Sequence, residues 1–128
     1  MSEKDLRRDG RGNLILCGSS AYEKKFYFNP DFAKVPKSIQ EELQVICVLF
    51  TEEVGGVFTI GFAPEGDVVL TTESEEDDIY YDEVSSGLLI GEIRRTRAEL
   101  LEQLSFYYRL VILGESPEAL LKELGESE

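Results

Sequence analysis

The chain has 128 residues, 42% of them hydrophobic, a size that suits one domain burying about two-thirds of its unfolded surface without help from a disulfide or structural metal. Its net charge of −13 argues against nucleic acid or an anionic membrane surface as a partner. No run approaches the roughly 18 apolar residues of a membrane span, and the polar N-terminus lacks a signal-peptide pattern, so a cytoplasmic protein is expected.

Residues 1–12 are polar and mixed in charge and read as a disordered leader, ahead of a single α+β domain over 13–125. Strands are expected over 14–17 and 25–28, with Gly18-Ser19-Ser20 as a turn signal and Asn29-Pro30-Asp31 ending the second strand. Cys17 and Cys47 sit in apolar runs and read as reduced core cysteines; a disulfide requires that their backbones happen to meet.

A helix is expected over 38–54. Ser38 with Glu41 three residues on has the capping-box spacing, and Gly55 is a stop. Ile39, Leu43, Ile46, Cys47, Phe50 and Val54 share one face, but Val45, Val48 and Leu49 make the helix apolar almost all round, as if buried on most sides. A β-branched strand over 45–50 is the alternative. Strands follow over 57–62 and 68–72, joined by the turn Pro64-Glu65-Gly66-Asp67.

One long helix is expected over about 82–113, with Ile90, Ile93, Leu100, Leu101, Leu104, Tyr108 and Val111 on its inner face and Gly114 as its stop. Gly87 and Gly91 lie four residues apart on one face. They mark either a bend near Gly87 or a smooth patch that another backbone approaches. A short helix over 117–124 closes the chain, with Pro117 at its first position, Gly125 after it and Leu120, Leu121 and Leu124 to dock on the body. The expected fold class is therefore α+β: an antiparallel sheet formed by the N-terminal strands and the 57–72 hairpin, packed by the two larger helices.

Chemistry-bearing residues are sparse. With no histidine, the commonest general base and metal ligand is missing, and no glycine-rich phosphate loop is present, so no catalytic residue and no cofactor is assigned. Between Ser38 and Ile93 there are fourteen acidic residues and no lysine or arginine. Glu73, Glu75, Asp77 and Asp78 are weak candidates for a divalent-cation site, against the plainer reading of a solvated loop. Glu52 and Glu53 close a helix whose C-terminal dipole disfavours them, and Arg94, Arg95 and Arg97 form the basic cluster of the folded part. An ion pair between the two sets, locking the helices together, is the expected arrangement; a catalytic carboxylate pair is the sharper alternative. Tyr107 and Tyr108 point to two sides of their helix, so one of them is a candidate interface tyrosine alongside Gly87 and Gly91.

Three segments carry a resemblance: Phe50-Thr51-Glu52-Glu53-Val54-Gly55-Gly56, Tyr81-Asp82-Glu83-Val84-Ser85-Ser86-Gly87-Leu88, and Tyr107-Tyr108. The chain resembles, over residues 15–113, a family of small acidic bacterial proteins described only as a domain of unknown function. The resemblance implies a cytoplasmic bacterial protein and carries no activity. The functional expectation is a non-enzymatic interaction module that binds a protein partner or forms a homodimer. The alternatives are an acidic mimic that occupies a basic protein surface and an enzyme using clustered carboxylates with a divalent metal or small ligand.

Overall fold

The computed structural model describes residues 8–126, and the side chains of residues 8–123. Four strands, β1 (Leu14–Ser20), β2 (Lys25–Phe28), β3 (Val57–Phe62) and β4 (Val68–Glu73), form one antiparallel sheet in the order β2-β1-β3-β4. The helices are α1 (Lys37–Val54), α2 (Glu83–Thr96), α3 (Ala98–Tyr107), continued by a π-turn over Tyr108–Ile112, and α4 (Pro117–Glu126). The fold is α+β.

Alternation along the strands gives the sheet one apolar face. Leu14, Cys17 and Ser19 on β1 lie opposite Phe62, Ile60 and Phe58 on β3, which in turn lie opposite Val68, Leu70 and Thr72 on β4. The β1–β3 register shifts between Ile15 and Cys17, a bulge that keeps Leu14 and Cys17 on the same face although they are an odd number of positions apart. α1 lays Leu43, Ile46, Cys47, Phe50 and Val54 on this face, with the Phe50 and Phe58 rings stacked 4.1 Å apart. A second cluster lies toward β4, where Tyr108 stacks on Phe62 at 4.7 Å and Phe32 meets Phe62 at 5.6 Å.

Several details depart from the sequence expectations. β1 continues through Gly18-Ser19-Ser20, because Gly18 packs against the β3 backbone: a Cβ there would stand 2.8 Å from the Phe58 carbonyl oxygen. The turn falls at residues 21–24 instead. The Ser38–Glu41 capping box does not form. α1 begins one residue earlier, behind Pro36, and the Gln40 side-chain Nε2 donates to the Val35 carbonyl at 2.7 Å. α1 is also not buried all round: Val45 and Leu49 are exposed.

The long helix bends at Arg97 rather than at Gly87. Thr96 Oγ1 takes the Glu92 carbonyl at 2.8 Å, competing with the backbone ladder, and Arg97 leaves helical geometry (φ −116°, ψ 24°). α3 then runs toward the β3–β4 turn, where Ser105 Oγ donates to the Gly66 carbonyl at 2.8 Å. α4 runs on through Gly125; it docks Leu120, whereas Leu121 stays exposed and the Leu124 side chain lies outside the described residues. Of the expected leader, residues 1–7 lie outside the described residues, and 8–12 form a turn in which the Asp9 carboxylate accepts from the Arg11 and Asn13 amides.

Phe50→Ala removes half of the α1–sheet stack and should cost about 3–5 kcal/mol in denaturant unfolding. Gly56→Ala should also destabilise, since Gly56 has φ +69° and a Cβ would meet the Glu73 carbonyl oxygen and the Tyr81 ring. Gly91→Ala, with open space at its Cβ, should raise stability in dilute solution by up to about 1 kcal/mol.

Candidate functional site

α1 and α2 run antiparallel, and their joint is built from the first two segments that carry the resemblance. The Asp82 amide donates to the Val54 carbonyl at 3.2 Å, which ties the end of α1 to the start of α2. Gly56 makes room for the Tyr81 ring, and the Tyr81 and Thr72 hydroxyls share a hydrogen bond of 2.8 Å. Asp82 caps α2: its carboxylate accepts from the Ser85 hydroxyl at 2.6 Å and the Ser85 amide at 2.9 Å. These two bonds, the hydroxyl first, hold the Asp82 carboxyl below the ordinary aspartate value.

This joint explains why the expected lock of Glu52 or Glu53 on an arginine is not made. Glu52 and Glu53 sit at the α2 N-terminus, while Arg94, Arg95 and Arg97 lie at the far end of α2, three or more helical turns away. A tie between α1 and the α2–α3 bend does exist, but Arg97 makes it with Glu42 at 3.1 Å, near the start of α1. The Arg94 guanidinium instead donates to the Val68 carbonyl at 3.3 Å.

The acidic loop is held by a residue the sequence did not single out. The Tyr22 hydroxyl donates to Asp78 at 2.6 Å and accepts from the Glu75 amide at 2.9 Å. The bond to Asp78 pushes the Tyr22 phenol up and holds the Asp78 carboxyl down. Glu73 lies 3.9 Å from Arg11. Among the described residues no three carboxylates or thiols converge as metal ligands, so Glu73, Glu75, Asp77 and Asp78 are not brought together.

Of the interface candidates, Tyr108 belongs to the core. Its ring is fully buried on Phe62, and its hydroxyl has no hydrogen-bond partner among the described residues. Tyr107 is half-buried against Phe32 at 6.3 Å, and burial raises its phenol. Gly87 and Gly91 face outward with open space at both, so among the described residues no other backbone approaches them. On the same face of α2, Val84 is 75% and Leu88 72% exposed, and in the turn that precedes α2 Ile79 is 85% and Tyr80 88% exposed.

Cys17 and Cys47 are free, buried and in contact, with Sγ atoms 3.8 Å apart; the hydrogen bond to Cys47, then burial, pushes the Cys17 thiol up. One ladder step on, Ser19 and Thr51 repeat the β1–α1 contact as a buried hydroxyl pair at 2.7 Å. Above that pair a cleft of about 500 Å³ opens between the β1–β2 turn and α1, lined among others by Lys24, Lys25, Phe26, Gln44 and Glu52. Nothing in the local sequence pattern marks it, since its walls come from segments some twenty residues or more apart.

A family model matches residues 13–116 and is described as a family of unknown function, DUF6145. The chain belongs to this family. No curated protein and no solved structure matches it. Among the described residues of this DUF6145 member, no helix is long and apolar enough to cross a membrane.

Two outcomes check this geometry. Because Arg97 and Glu42 are both well exposed, Arg97→Gln should cost less than about 1 kcal/mol in unfolding free energy. Asp82 titrates lower in the folded chain, so its charge contributes stability above the ordinary value of 3.8 and loses it as pH falls through the lowered one. Asp82→Asn should therefore lower the unfolding midpoint at neutral pH, and its gap from the parent should close below pH 3.8; a gap independent of pH would contradict the charge-assisted cap.

Proposed function

We propose that this DUF6145 chain is a non-enzymatic interaction module that pairs with a second copy of itself through the outward face of α2. In the same reading it is a cytoplasmic bacterial protein, as the resemblance implies. The observation that carries the reading is the exposure of Val84 and Leu88 beside two open glycines, with Ile79 and Tyr80 exposed in the turn before them. Large apolar side chains left exposed on a helix face and in the turn that leads into it are what a protein contact buries.

Two features favour a second copy as the occupant. The first is shape. In an antiparallel pairing centred between Gly87 and Leu88, each Leu88 faces the other copy's Gly87 and each Val84 faces its Gly91. Large residues then fill the places the glycines leave, and the helices can approach closely. The second is charge. α2 carries Asp82 and Glu83 at its start and Arg94 and Arg95 at its end, so antiparallel pairing sets each acidic end beside the other's basic end. That local match offsets the repulsion between two chains of net charge −13.

Sedimentation velocity over the micromolar range tests the reading. The parent should dimerise, and Leu88→Glu, at an exposed position, should weaken the dimer about tenfold or more while leaving the circular dichroism spectrum unchanged. A parent that stays monomeric throughout, or a Leu88→Glu variant that dimerises as tightly, would overturn it.

A further inference from the structure

We infer that the cleft between the β1–β2 turn and α1 binds a small zwitterion with an apolar side chain, the chemistry of a free α-amino acid. The inference uses none of the α2 face and stands or falls apart from it.

The cleft is built from its floor upward. The β1–α1 seam is apolar at Cys17–Cys47 and turns polar at Ser19–Thr51, where the cleft reaches it. Both hydroxyl residues are 6% exposed. Thr51 Oγ1 lies 3.3 Å from the Cys47 and the Val48 carbonyl oxygens, and can donate to one of them while accepting from Ser19. Ser19 Oγ then keeps acceptor capacity toward the cleft.

The walls separate charge. Lys24 stands on the turn and Lys25 opens β2 beside it, opposite Ser20; neither makes an ion pair among the described residues. Lys24 has φ +54°, a backbone conformation rare for a lysine, so the turn that carries its ammonium group is held in one shape by its surroundings. Glu52 stands on the last turn of α1 and also has no partner among the described residues. There its carboxylate and the helix C-terminal dipole both favour a cation. The two acids that close α1 against that dipole are thereby accounted for in part: one of them faces a ligand's ammonium. Between the charged walls, Phe26, Val48 and Ala21 supply apolar surface, and Gln44 adds a side-chain amide. A carboxylate toward Lys24, an ammonium toward Glu52 and an apolar side chain on Phe26 match the walls. The volume of about 500 Å³ falls within the usual range of small-ligand sites.

The test is a titration of the ¹⁵N-labelled protein with L-leucine and, separately, L-phenylalanine, followed by amide chemical shifts. At least one should move the amides of Ser19, Lys25, Val48 and Glu52 with a millimolar or tighter dissociation constant. N-acetyl-leucine, which lacks the ammonium, and leucinamide, which lacks the carboxylate, should bind about tenfold more weakly or not at all. Glu52→Gln should weaken free leucine by the same factor, and the Lys24→Met/Lys25→Met double variant should do likewise; both change exposed side chains, and the spectrum itself reports that each variant is folded. No shift with either amino acid at millimolar concentration, equal binding of the blocked forms, or undiminished binding by the variants would overturn the inference.

Discussion

The burial of one face of α1 on the apolar face of the sheet is the constraint on which the other features depend. Leu43, Cys47, Phe50 and Val54 are all but inaccessible, and the Phe50–Phe58 stack sits at the centre of the seam. Burying a side chain of that size stabilises by about 1.5–3 kcal/mol, well above any single exposed ion pair in the molecule. Once α1 is seated, the remainder follows in order. Its C-terminus reaches β3 through Gly55 and Gly56, both at positive φ, and delivers Val54 to the Asp82 amide. α2 is thereby hung from the end of α1 and runs back along it, so the acids of one end never meet the arginines of the other. The edge strand β2 is left partly uncovered, which opens the cleft over Ser19 and Thr51.

Elements with a clean local signal were legible in the sequence. The strands at 57–62 and 68–72 and the turn at Pro64-Glu65-Gly66-Asp67 are found where alternation and turn chemistry put them, with Gly66 at φ +109°. The α+β class, the reduced core cysteines and the family were likewise readable. What failed was what depends on distant partners. Gly18-Ser19-Ser20 looks like a turn until β3 lies beside it. Val45 and Leu49 look like core until α1 is seen to be covered on one side alone. Tyr108 looks like an interface candidate until Phe62 is found beneath it. The ion pair was expected with the right helix and the wrong acid, because direction of packing, which the sequence does not encode locally, decides whether Glu52 or Glu42 meets Arg97. The cleft was invisible for the same reason, although the misplaced acids at the end of α1 were a partial signal.

Charge is spread unevenly over the molecule. Several of the arginines serve as local clamps: Arg97 on Glu42, and Arg109 on both Glu115 and Glu123 at 2.8 Å, where those carboxylates raise its pKa. This second clamp secures α4 on the α3 end, since both acids lie on the segment it must hold. By contrast, Lys24 and Lys25 and the far end of α2 present positive charge on a chain of net −13.

Native-state hydrogen exchange in dilute solution tests most directly the claim that α1 on the sheet is the foundation and α2 an outlying element. The slowest amides should be those of Ile46–Phe50 in α1 and of Cys17, Phe58 and Ile60 in the sheet, exchanging only through global unfolding. Amides over 84–91 in α2 should exchange through cheaper local opening. If α2 proves as slow as α1, or if the inner turns of α1 open locally while the sheet stays closed, the seam between α1 and the sheet is not what holds the fold.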